Sequence, residues 1–323
     1  MKCSVILSYF NHNKSEKIKR NFLKTLRYMQ GFDVELCVAQ VCKHDEQPLE
    51  IDGADVSLTF YSDHLIFFKE NLWNLAARKS SGDNLVFLDA DTYYKNDNWV
   101  NAINDQLKEF DVIQPFDDAM WEEQNGAVGH KIRKSWMSSQ VQNIAPIHAR
   151  NHCGFGFAMT RSLFDSIGGF YDRACIGHGD ALFCVAFTRD QHVYHFIQAC
   201  HRAIQSVAAG TPDPEIGRTI MINAKQYLCP SYMQYREHCQ NQRANVGYLP
   251  GYTILHRWHG DDCNRRYEDR LTLVDWDGDS PVHYRDDGLV EWTIPQPRVH
   301  EWWDGRDDDG HDSGIKSTRY APA

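Results

Sequence analysis

The first third of the chain alternates between short apolar runs and stretches in which apolar residues recur at helical spacing. Apolar runs bounded by polar or turn-forming residues predict buried strands at 5–7, 34–39, 56–60, 84–88 and 111–115. Helical spacing predicts three helices between them, one ending at Gly31, one over 65–79 and one that contains Trp99, Ile103 and Leu107. Strands alternating with amphipathic helices favour an α/β fold, with a mostly parallel sheet flanked by helices.

The rest of the chain has a less regular pattern. Residues 121–150 are polar and contain glycines, which predicts a loop. The apolar runs at 155–159 and 252–255 predict two further strands, and the region 180–250 between them is predicted to be mostly helical. Six acidic residues and one arginine lie within 301–312, a composition that predicts a mobile tail.

Composition narrows the class of protein. The 323 residues are 42% hydrophobic and 24% charged, and the net charge is 34 − 44 = −10, so the chain as a whole is not a binder of polyanions. No apolar run approaches the roughly 18 residues of a membrane span. Ten cysteines without a Cys-x-x-Cys pair are expected to be reduced thiols, which places the protein in a cytoplasm. The missing Gly-x-Gly-x-x-Gly after the first strand disfavours a dinucleotide-binding domain.

Two carboxylates stand where the 84–88 strand ends, at Asp89 and Asp91. Open α/β sheets bind ligands in the crevice at the carboxyl ends of their strands. Two hard oxygen donors at this place suit a divalent cation, which in turn carries substrate phosphates. The alternative is an ordinary turn with two solvated carboxylates.

Several short motifs follow one another along the chain, namely Asp89-Ala90-Asp91, Cys153-Gly154-Phe155-Gly156, Gly168-Gly169-Phe170, Gly177-His178-Gly179-Asp180 and a late strand ending in His256. In this order they resemble GT-A glycosyltransferases, and most of all the inverting branch with β-1,4-galactosyltransferases, chondroitin polymerases and polypeptide N-acetylgalactosaminyltransferases. The resemblance covers 1–115 and 150–262. A segment after Gly260 also resembles uncharacterised glycosyltransferases of bacteria and bacteriophages; its sequence is Arg265-Arg266-Tyr267-Glu268-Asp269-Arg270.

The resemblance implies a domain organisation. A GT-A domain would occupy 1–262, with its nucleotide-sugar half at 1–115 and its acceptor half at 150–262. The acceptor half would contain a helical insertion at about residues 181–250. Residues 263–323 would form a C-terminal extension. The implied setting is the cytoplasm of a bacterium or of a phage-infected host.

The resemblance also implies a metal site that holds Mn²⁺ or Mg²⁺ on the diphosphate of the donor. Asp91 would ligate the metal directly, and Asp89 would contact the ribose or a metal-bound water, or act as a second ligand. His256 would complete the protein ligands, with His259 as its rival; one imidazole is expected to face the site and the other to support it. An imidazole among the ligands suits Mn²⁺ better than Mg²⁺.

Asp180 is the candidate general base, since the acceptor hydroxyl must lose a proton during attack. A single base without a second nucleophilic carboxylate implies inversion, and a UDP-sugar is the expected donor. The alternative is that Asp180 only caps a helix. The chain departs from the family pattern in two places: the acidic loop keeps one acid of two, and Gln40 stands where many relatives have an acid.

Besides Asp89, five residues are candidates for binding the nucleotide. Tyr9 and Phe10 follow the first strand and are candidates to stack on the base. Lys69 matches an Arg of the galactosyltransferase pattern and is a candidate for binding the nucleotide; the alternative is an ordinary surface lysine. Arg265 and Arg266 would cover the diphosphate, because Arg suits bidentate phosphate contact.

The acceptor is left open between two kinds of hydroxyl. The first is a glycan, with Trp121 and Trp258 as candidates for a sugar platform. The second is a hydroxymethylated base in DNA, which would need a local basic patch. Candidate members of such a patch are Lys131, Arg133, Lys134, Arg150 and Arg161. Two further hypotheses are a non-catalytic carbohydrate-binding protein on the same fold and a metal-dependent hydrolase, which would show a denser cluster of acids and histidines.

Overall fold

The computed structural model of the chain describes residues 2–142, 151–188, 198, 200–202, 205–206, 209–210, 225–261, 264–266, 273–274, 276 and 278–310. Its strands are β1 (Cys3–Tyr9), β2 (Glu35–Cys42), β3 (Val56–Tyr61), β4 (Asn84–Leu88), β5 (Thr92–Tyr94), β6 (Val112–Gln114), β7 (Asp118–Glu122), β8 (Val128–Lys134), β9 (Gly156–Thr160), β10 (Val246–Tyr248), β11 (Thr253–His256), β12 (Val282–Tyr284) and β13 (Val290–Trp292). Its helices include α1 (Glu16–Met29), α2 (Lys69–Ala77), α3 (Trp99–Gln106), α4 (Trp136–Val141), α5 (Arg161–Ile167), α6 (Gly179–Ala186), α7 (Pro230–Asn241) and α8 (Pro297–Asp304).

A seven-stranded sheet in the order β10-β6-β9-β4-β1-β2-β3 forms the centre of the fold. The pairs β4–β1, β1–β2, β2–β3 and β6–β10 are parallel. Strand β9 lies between β4 and β6 and is antiparallel to both. Side chains of β1 alternate between two cores: Ile6 packs with α2, whereas Val5 and Leu7 pack with α1 and α3. Both faces are therefore covered, which confirms the predicted α/β class.

Helix α2 begins later than the sequence predicts. The residues 65–68 were expected to be helical, and Leu65, Ile66 and Phe68 are indeed buried. However, the N–H of Phe67 donates to the carbonyl of Cys175, with an N···O distance of 2.8 Å. This tertiary hydrogen bond engages the N–H of Phe67 two residues before α2 begins, so that N–H is not part of a longer helix.

The region expected to be a loop at 121–150 contains regular structure in its described part. Strands β7 and β8 form an antiparallel pair in a second sheet, ordered β5-β11-β7-β8, and α4 follows. Most side chains of β8 are exposed, so it lacks the apolar alternation from which a strand is predicted. Residues 143–150 lie outside the described part.

The region expected to be mostly helical at 180–250 is described in part. It contains α6 and α7, and also the short strand β10, which extends the central sheet beside β6. The remainder of this region lies largely outside the described residues.

The C-terminal extension packs against the same core as α2. The β12–β13 hairpin contributes Val290 and Trp292, and α8 contributes Val299 and Trp302, all of which are buried. The acidic segment expected to be mobile begins within α8, and residues up to 310 pack against the main body. Burial of the neighbouring tryptophans explains why this acid-rich segment is ordered.

Two of the sequence-based expectations concern the cysteines and membrane-spanning helices. The nine described cysteines form no disulfide, in agreement with reduced thiols. None of the helices within the described residues is long and apolar enough to cross a bilayer.

Candidate metal centre and active-site cavity

Strand register brings the candidate site together at one edge of the central sheet. Leu88, the last residue of β4, pairs with Leu7 of parallel β1 and with Gly156 at the start of antiparallel β9. The end of β1, the end of β4 and the beginning of β9 therefore meet. The N–H of Asp89 donates to the carbonyl of Phe155 across this junction, at 3.0 Å.

A second pairing brings His256 to Asp91. Strand β11 lies antiparallel to β5, and His256 pairs with Thr92. The N–H of Arg257 donates to the carbonyl of Asp91, at 2.9 Å, while Thr92 Oγ1 donates to the carbonyl of Asp89, also at 2.9 Å. The Asp-x-Asp turn is thereby held rigidly between the two sheets.

Asp91, His256 and His259 form what we call the Asp-His-His cluster. Oδ2 of Asp91 lies 3.2 Å from Nε2 of His256 and 3.1 Å from Nε2 of His259. One donor atom from each residue lies within 4.8 Å of the others. Two ligands at right angles around one cation, with bonds of about 2.1 Å, are about 3 Å apart. The donor set and its spacing therefore fit a divalent cation. Both imidazoles place Nε2 beside the carboxylate of Asp91.

The protonation states of the cluster also suit a cation. Burial on its own opposes ionisation of Asp91, but the neighbouring imidazoles of His256 and His259 outweigh it and hold the pKa of this carboxyl well below its usual range. Burial is the largest influence on His256 and lowers its pKa. An ionised carboxylate and a neutral imidazole are the forms that bind metals.

Lys69 joins the candidate base to the Asp-x-Asp turn. Its Nζ lies 3.1 Å from Oδ1 of Asp89, 3.8 Å from Oδ2 of Asp180 and 3.5 Å from Oε1 of Glu70. Burial alone would lower the pKa of Lys69, but these three carboxylates outweigh it and raise the pKa. The ammonium group is therefore charged and paired with carboxylates, and Lys69 is buried rather than an ordinary surface lysine. Its role in nucleotide binding stays a prediction.

Asp180 and Glu70 respond to this lysine in opposite ways. Burial alone would raise the pKa of Asp180, but Lys69 and the nearby imidazoles of His178 and His152 hold it below its usual value. For Glu70 burial prevails and raises the pKa to about 7. The cavity thus presents an ionised Asp180 with a second carboxyl group buried behind it.

Two glycines leave room for the carboxyl groups of Asp180 and Glu70. A Cβ on Gly154 would lie 2.7 Å from Oδ2 of Asp180, and a Cβ on Gly179 would lie 2.4 Å from Cδ of Glu70. His178 is the residue that precedes α6, at φ 77°, and Asp180 lies in the first turn, where its Oδ1 accepts a hydrogen bond from the N–H of Ala181 at 2.7 Å. The second oxygen is directed toward Lys69.

The Asp-His-His cluster, Lys69, Asp89 and Asp180 line one cavity of about 420 Å³, a size typical of small-molecule sites. The sequence-predicted residues in its wall are Tyr9, Phe10, Lys69, Asp89, Asp91, Trp121, Asp180, His256, His259 and Arg265. Arg266 lies elsewhere, with its guanidinium against Gly305. Trp258 also lies outside this wall, and the Nζ of Lys17 sits 4.1 Å from its ring centroid.

The basic patch predicted for DNA is divided by the structure. Lys131 and Arg133 line the cavity. Lys134 pairs with Asp117, at 3.0 Å, and Arg161 is a structural residue whose guanidinium donates to the carbonyl of Gly82 at 2.7 Å and to other backbone oxygens nearby. Arg161 therefore stabilises the turn before β4, and its membership of such a patch stays a prediction. Arg150 lies outside the described residues.

Sequence reasoning missed two residues of the cavity region, His152 and Glu70. His152 lines the cavity beside Phe155, with ring centroids 4.1 Å apart, and burial lowers its pKa to about 3. Glu70 follows Lys69 directly. The signal for His152 was its position just before the Cys153-Gly154 motif, whereas a glutamate on an amphipathic helix carries no signal of burial.

Comparison with known proteins gives limited information. No protein-family model matches the chain, and no curated protein matches it. Among solved structures, the TarS 1-349 fragment from S. aureus is 16% identical, with 73% of this chain and 71% of that chain covered and a TM-score of 0.40. The same fragment in complex with UDP-GlcNAc is 16% identical, with 73% and 72% covered and a TM-score of 0.36.

A further similar structure is the mannosyltransferase PcManGT from Pyrobaculum calidifontis in complex with GDP-Man and Mn²⁺. It is 14% identical, with 74% of this chain and 73% of that chain covered and a TM-score of 0.35. At such TM-scores the likeness decides neither the fold nor the activity of this chain, both of which are argued from its own residues.

Proposed function

We propose that the chain is a metal-dependent glycosyltransferase of the GT-A type that transfers a sugar from a nucleotide-sugar donor to an acceptor hydroxyl with inversion. The observation that carries the proposal is that the Asp-His-His cluster and the ionised Asp180 line one cavity. A cation site and a separate base are what this reaction requires on the two sides of the transferred sugar.

Asp91, His256 and His259 would hold the cation. Two imidazoles beside a carboxylate favour Mn²⁺ over Mg²⁺, which prefers oxygen ligands. When bound, the cation supplies stabilisation of the negative charge that develops on the leaving nucleoside diphosphate.

The nucleotide would bind where the first strand ends. Tyr9 ends β1, Phe10 follows it, and both lie in the cavity wall, where one of the two rings would stack on the base. Arg265 lies in the same wall next to the cluster, and it is our candidate for a phosphate contact. We expect a UDP-sugar as donor and expect no role for Arg266 in direct phosphate binding.

Asp180 would accept the proton of the acceptor hydroxyl. Asp89, Asp91 and Asp180 are the carboxylates in the described cavity wall. Asp91 belongs to the cluster and Asp89 lies closest to Lys69, so Asp180 is the one placed to act as a base. One base without a carboxylate nucleophile corresponds to a single displacement, which inverts the anomeric carbon.

The acceptor would enter past Trp121 and Lys131, since both line the cavity and the ammonium group lies 4.5 Å from the indole ring centroid. An aromatic face next to a cation suits a sugar. Lys131 and Arg133 are a small cationic surface compared with the phosphate contacts that duplex DNA requires. We therefore favour a glycan over a hydroxymethylated base as the acceptor.

The test is turnover of a panel of UDP- and GDP-sugars, with release of the nucleoside diphosphate as readout. We expect release that requires Mn²⁺, is abolished by a chelator and is lost in Asp91→Asn. Absence of turnover with every donor, together with tight sugar binding, would instead support a non-catalytic carbohydrate-binding protein. If hydroxymethylated duplex DNA stimulates release of the nucleoside diphosphate, and salt weakens this stimulation, DNA would replace a glycan as the proposed acceptor.

A further inference from the structure

The acidic C-terminal segment contacts the candidate metal site from behind. Asp308 is 1% exposed, and its Oδ1 lies 3.4 Å from Nδ1 of His259, the imidazole nitrogen that faces away from Asp91. This contact is longer than an ordinary N–H···O hydrogen bond, and among the described residues the buried Nδ1 has no hydrogen-bond partner. Arg306 donates to both carboxylate oxygens of Asp308, from Nε at 3.0 Å and from Nη2 at 2.6 Å. Asn13 donates to Oδ2 of Asp308 at 2.5 Å.

This segment is fixed to the loop that lines the cavity after β1. Oδ1 of Asp309 accepts hydrogen bonds from Oγ of Ser15 at 2.8 Å and from the N–H of Lys17 at 2.7 Å. The N–H of Asp307 donates to the carbonyl of Asn264, at 3.1 Å. Contacts on both sides therefore hold the carboxylate of Asp308 in one position.

The orientation of an imidazole ligand depends on its second nitrogen. A carboxylate at Nδ1 keeps the proton there and leaves the lone pair of Nε2 for the cation, and it fixes the plane of the ring. Nε2 of His259 lies 3.1 Å from Oδ2 of Asp91, on the side where the cation would bind.

We propose that Asp308 is a positioning residue that fixes His259 with Nδ1 protonated and Nε2 toward the cation, so that the C-terminal segment completes the metal site. The inference rests on the proposed function, because it takes the Asp-His-His cluster as a metal site. It adds a residue that lies 217 positions beyond Asp91 (308 − 91) and outside every sequence motif.

The experiment compares the Mn²⁺ affinity of the wild type, Asp308→Asn and the matched control Asp309→Asn, measured from the electron paramagnetic resonance signal of free Mn²⁺. The control removes the same charge from the same segment, and its amide oxygen can still accept the hydrogen bonds from Ser15 and Lys17 that hold the segment in place. Among the described residues, Asp309 has no contact with His259. We expect Asp308→Asn to weaken Mn²⁺ binding by about 10–100-fold, the usual effect of removing such a partner. Equal affinities in Asp308→Asn and the wild type would overturn the proposal.

A double-mutant cycle separates positioning from general stability. In a His259→Ala background, Asp308→Asn should no longer change Mn²⁺ affinity, since the residue through which it acts is gone. An undiminished effect in that background would show that Asp308 only supports the fold, as the partner of Arg306.

A measurement on the unmutated protein covers the case in which Asp308→Asn does not fold. Nitrogen-15 NMR of the histidine rings, with and without Mg²⁺, should show Nδ1 of His259 protonated in both conditions. An unprotonated Nδ1 would contradict the proposal. A wild type that binds neither Mn²⁺ nor Mg²⁺, yet keeps Nδ1 protonated, would instead count against the proposed function and leave the His259–Asp308 contact supported.

Discussion

Lys69 governs the balance of charge in the cavity at the scale of single residues. It is nearly buried and lies within 4 Å of Asp89, Asp180 and Glu70. One cation among three carboxylates cannot satisfy all of them, and the deepest of the three, Glu70, is the one whose pKa rises. This arrangement keeps Asp180 ionised, which a general base requires.

Asp180→Asn tests the proposed base. The amide keeps the shape of the side chain but cannot accept the proton, so turnover should fall by about 10²–10⁴-fold. Binding of Mn²⁺ and UDP should stay close to wild type, because Asp180 lies outside the Asp-His-His cluster. Near-normal turnover would remove Asp180 from the chemistry, and retention of the anomeric configuration in the product would exclude a single displacement.

Glu70 predicts a pH dependence of stability. Its pKa is about 7 in the folded protein, above the ordinary value of 4.5. The folded state therefore binds the extra proton between those two values, and the free energy of unfolding should fall as pH rises across that window. Since Glu70→Gln cannot ionise, its stability relative to wild type should increase from about pH 5 to about pH 8, by about 1–3 kcal/mol.

Urea denaturation at both pH values measures this difference. Comparing the same variant at two pH values removes the constant effect of exchanging the side chain. Parallel stability curves for wild type and Glu70→Gln would mean that Glu70 is already ionised in the folded protein.

At the scale of elements, the carboxyl ends of β1, β4 and β11 and the beginning of β9 define the site. The strands β4 and β11 could be predicted because each is an apolar run followed at once by chemistry-bearing residues, Asp89 and Asp91 in one case and His256 in the other. Strand β8 could not be predicted, since its exposed side chains follow no apolar period and it depends on pairing with β7.

The contribution of the C-terminal segment to the site could not be predicted from local sequence patterns either. An acid-rich composition is typical of mobile tails. Here the contacts that order it are tertiary: Asp308 bonds to Asn13, which is 295 positions away in the chain. Only the folded chain places Arg306 and His259 next to the same carboxylate.

Gly179→Ala tests how closely α6 must approach α2. The new methyl group would lie 2.4 Å from Cδ of Glu70, and both positions are buried. The start of α6 must shift, at a cost of about 1–3 kcal/mol in the free energy of unfolding, and Asp180 moves with it. We expect kcat to fall while UDP binding is retained.

The control for this variant is Gly31→Ala, at the end of α1, where a Cβ would meet only the Tyr28 carbonyl at 3.3 Å. It should leave kcat unchanged. Equal kcat values for Gly179→Ala and wild type would show that the close approach does not position Asp180.

At the scale of the whole molecule, one edge of the central sheet collects groups from both ends of the chain. The loop after β1, the Asp-x-Asp turn, α6, the end of β11 and the C-terminal segment all meet around one cavity. A cation held there would contact both the protein and the donor diphosphate, so the two ligands should bind cooperatively.

This cooperativity is measurable by calorimetry. If Mn²⁺ tightens UDP binding by some factor, UDP must tighten Mn²⁺ binding by the same factor. We expect strong coupling in wild type and its loss in His256→Ala, which removes one ligand. Independent binding of the two ligands to wild type would mean that the cation does not hold the diphosphate.

The most direct measurement is the position of Mn²⁺ in crystals grown with MnCl₂ and UDP, located by anomalous diffraction. The account predicts one strong peak bonded to Oδ2 of Asp91 and to Nε2 of both His256 and His259, with diphosphate oxygens completing the ligands. A peak bonded to other residues, or a bound UDP without a cation at these three side chains, would contradict it.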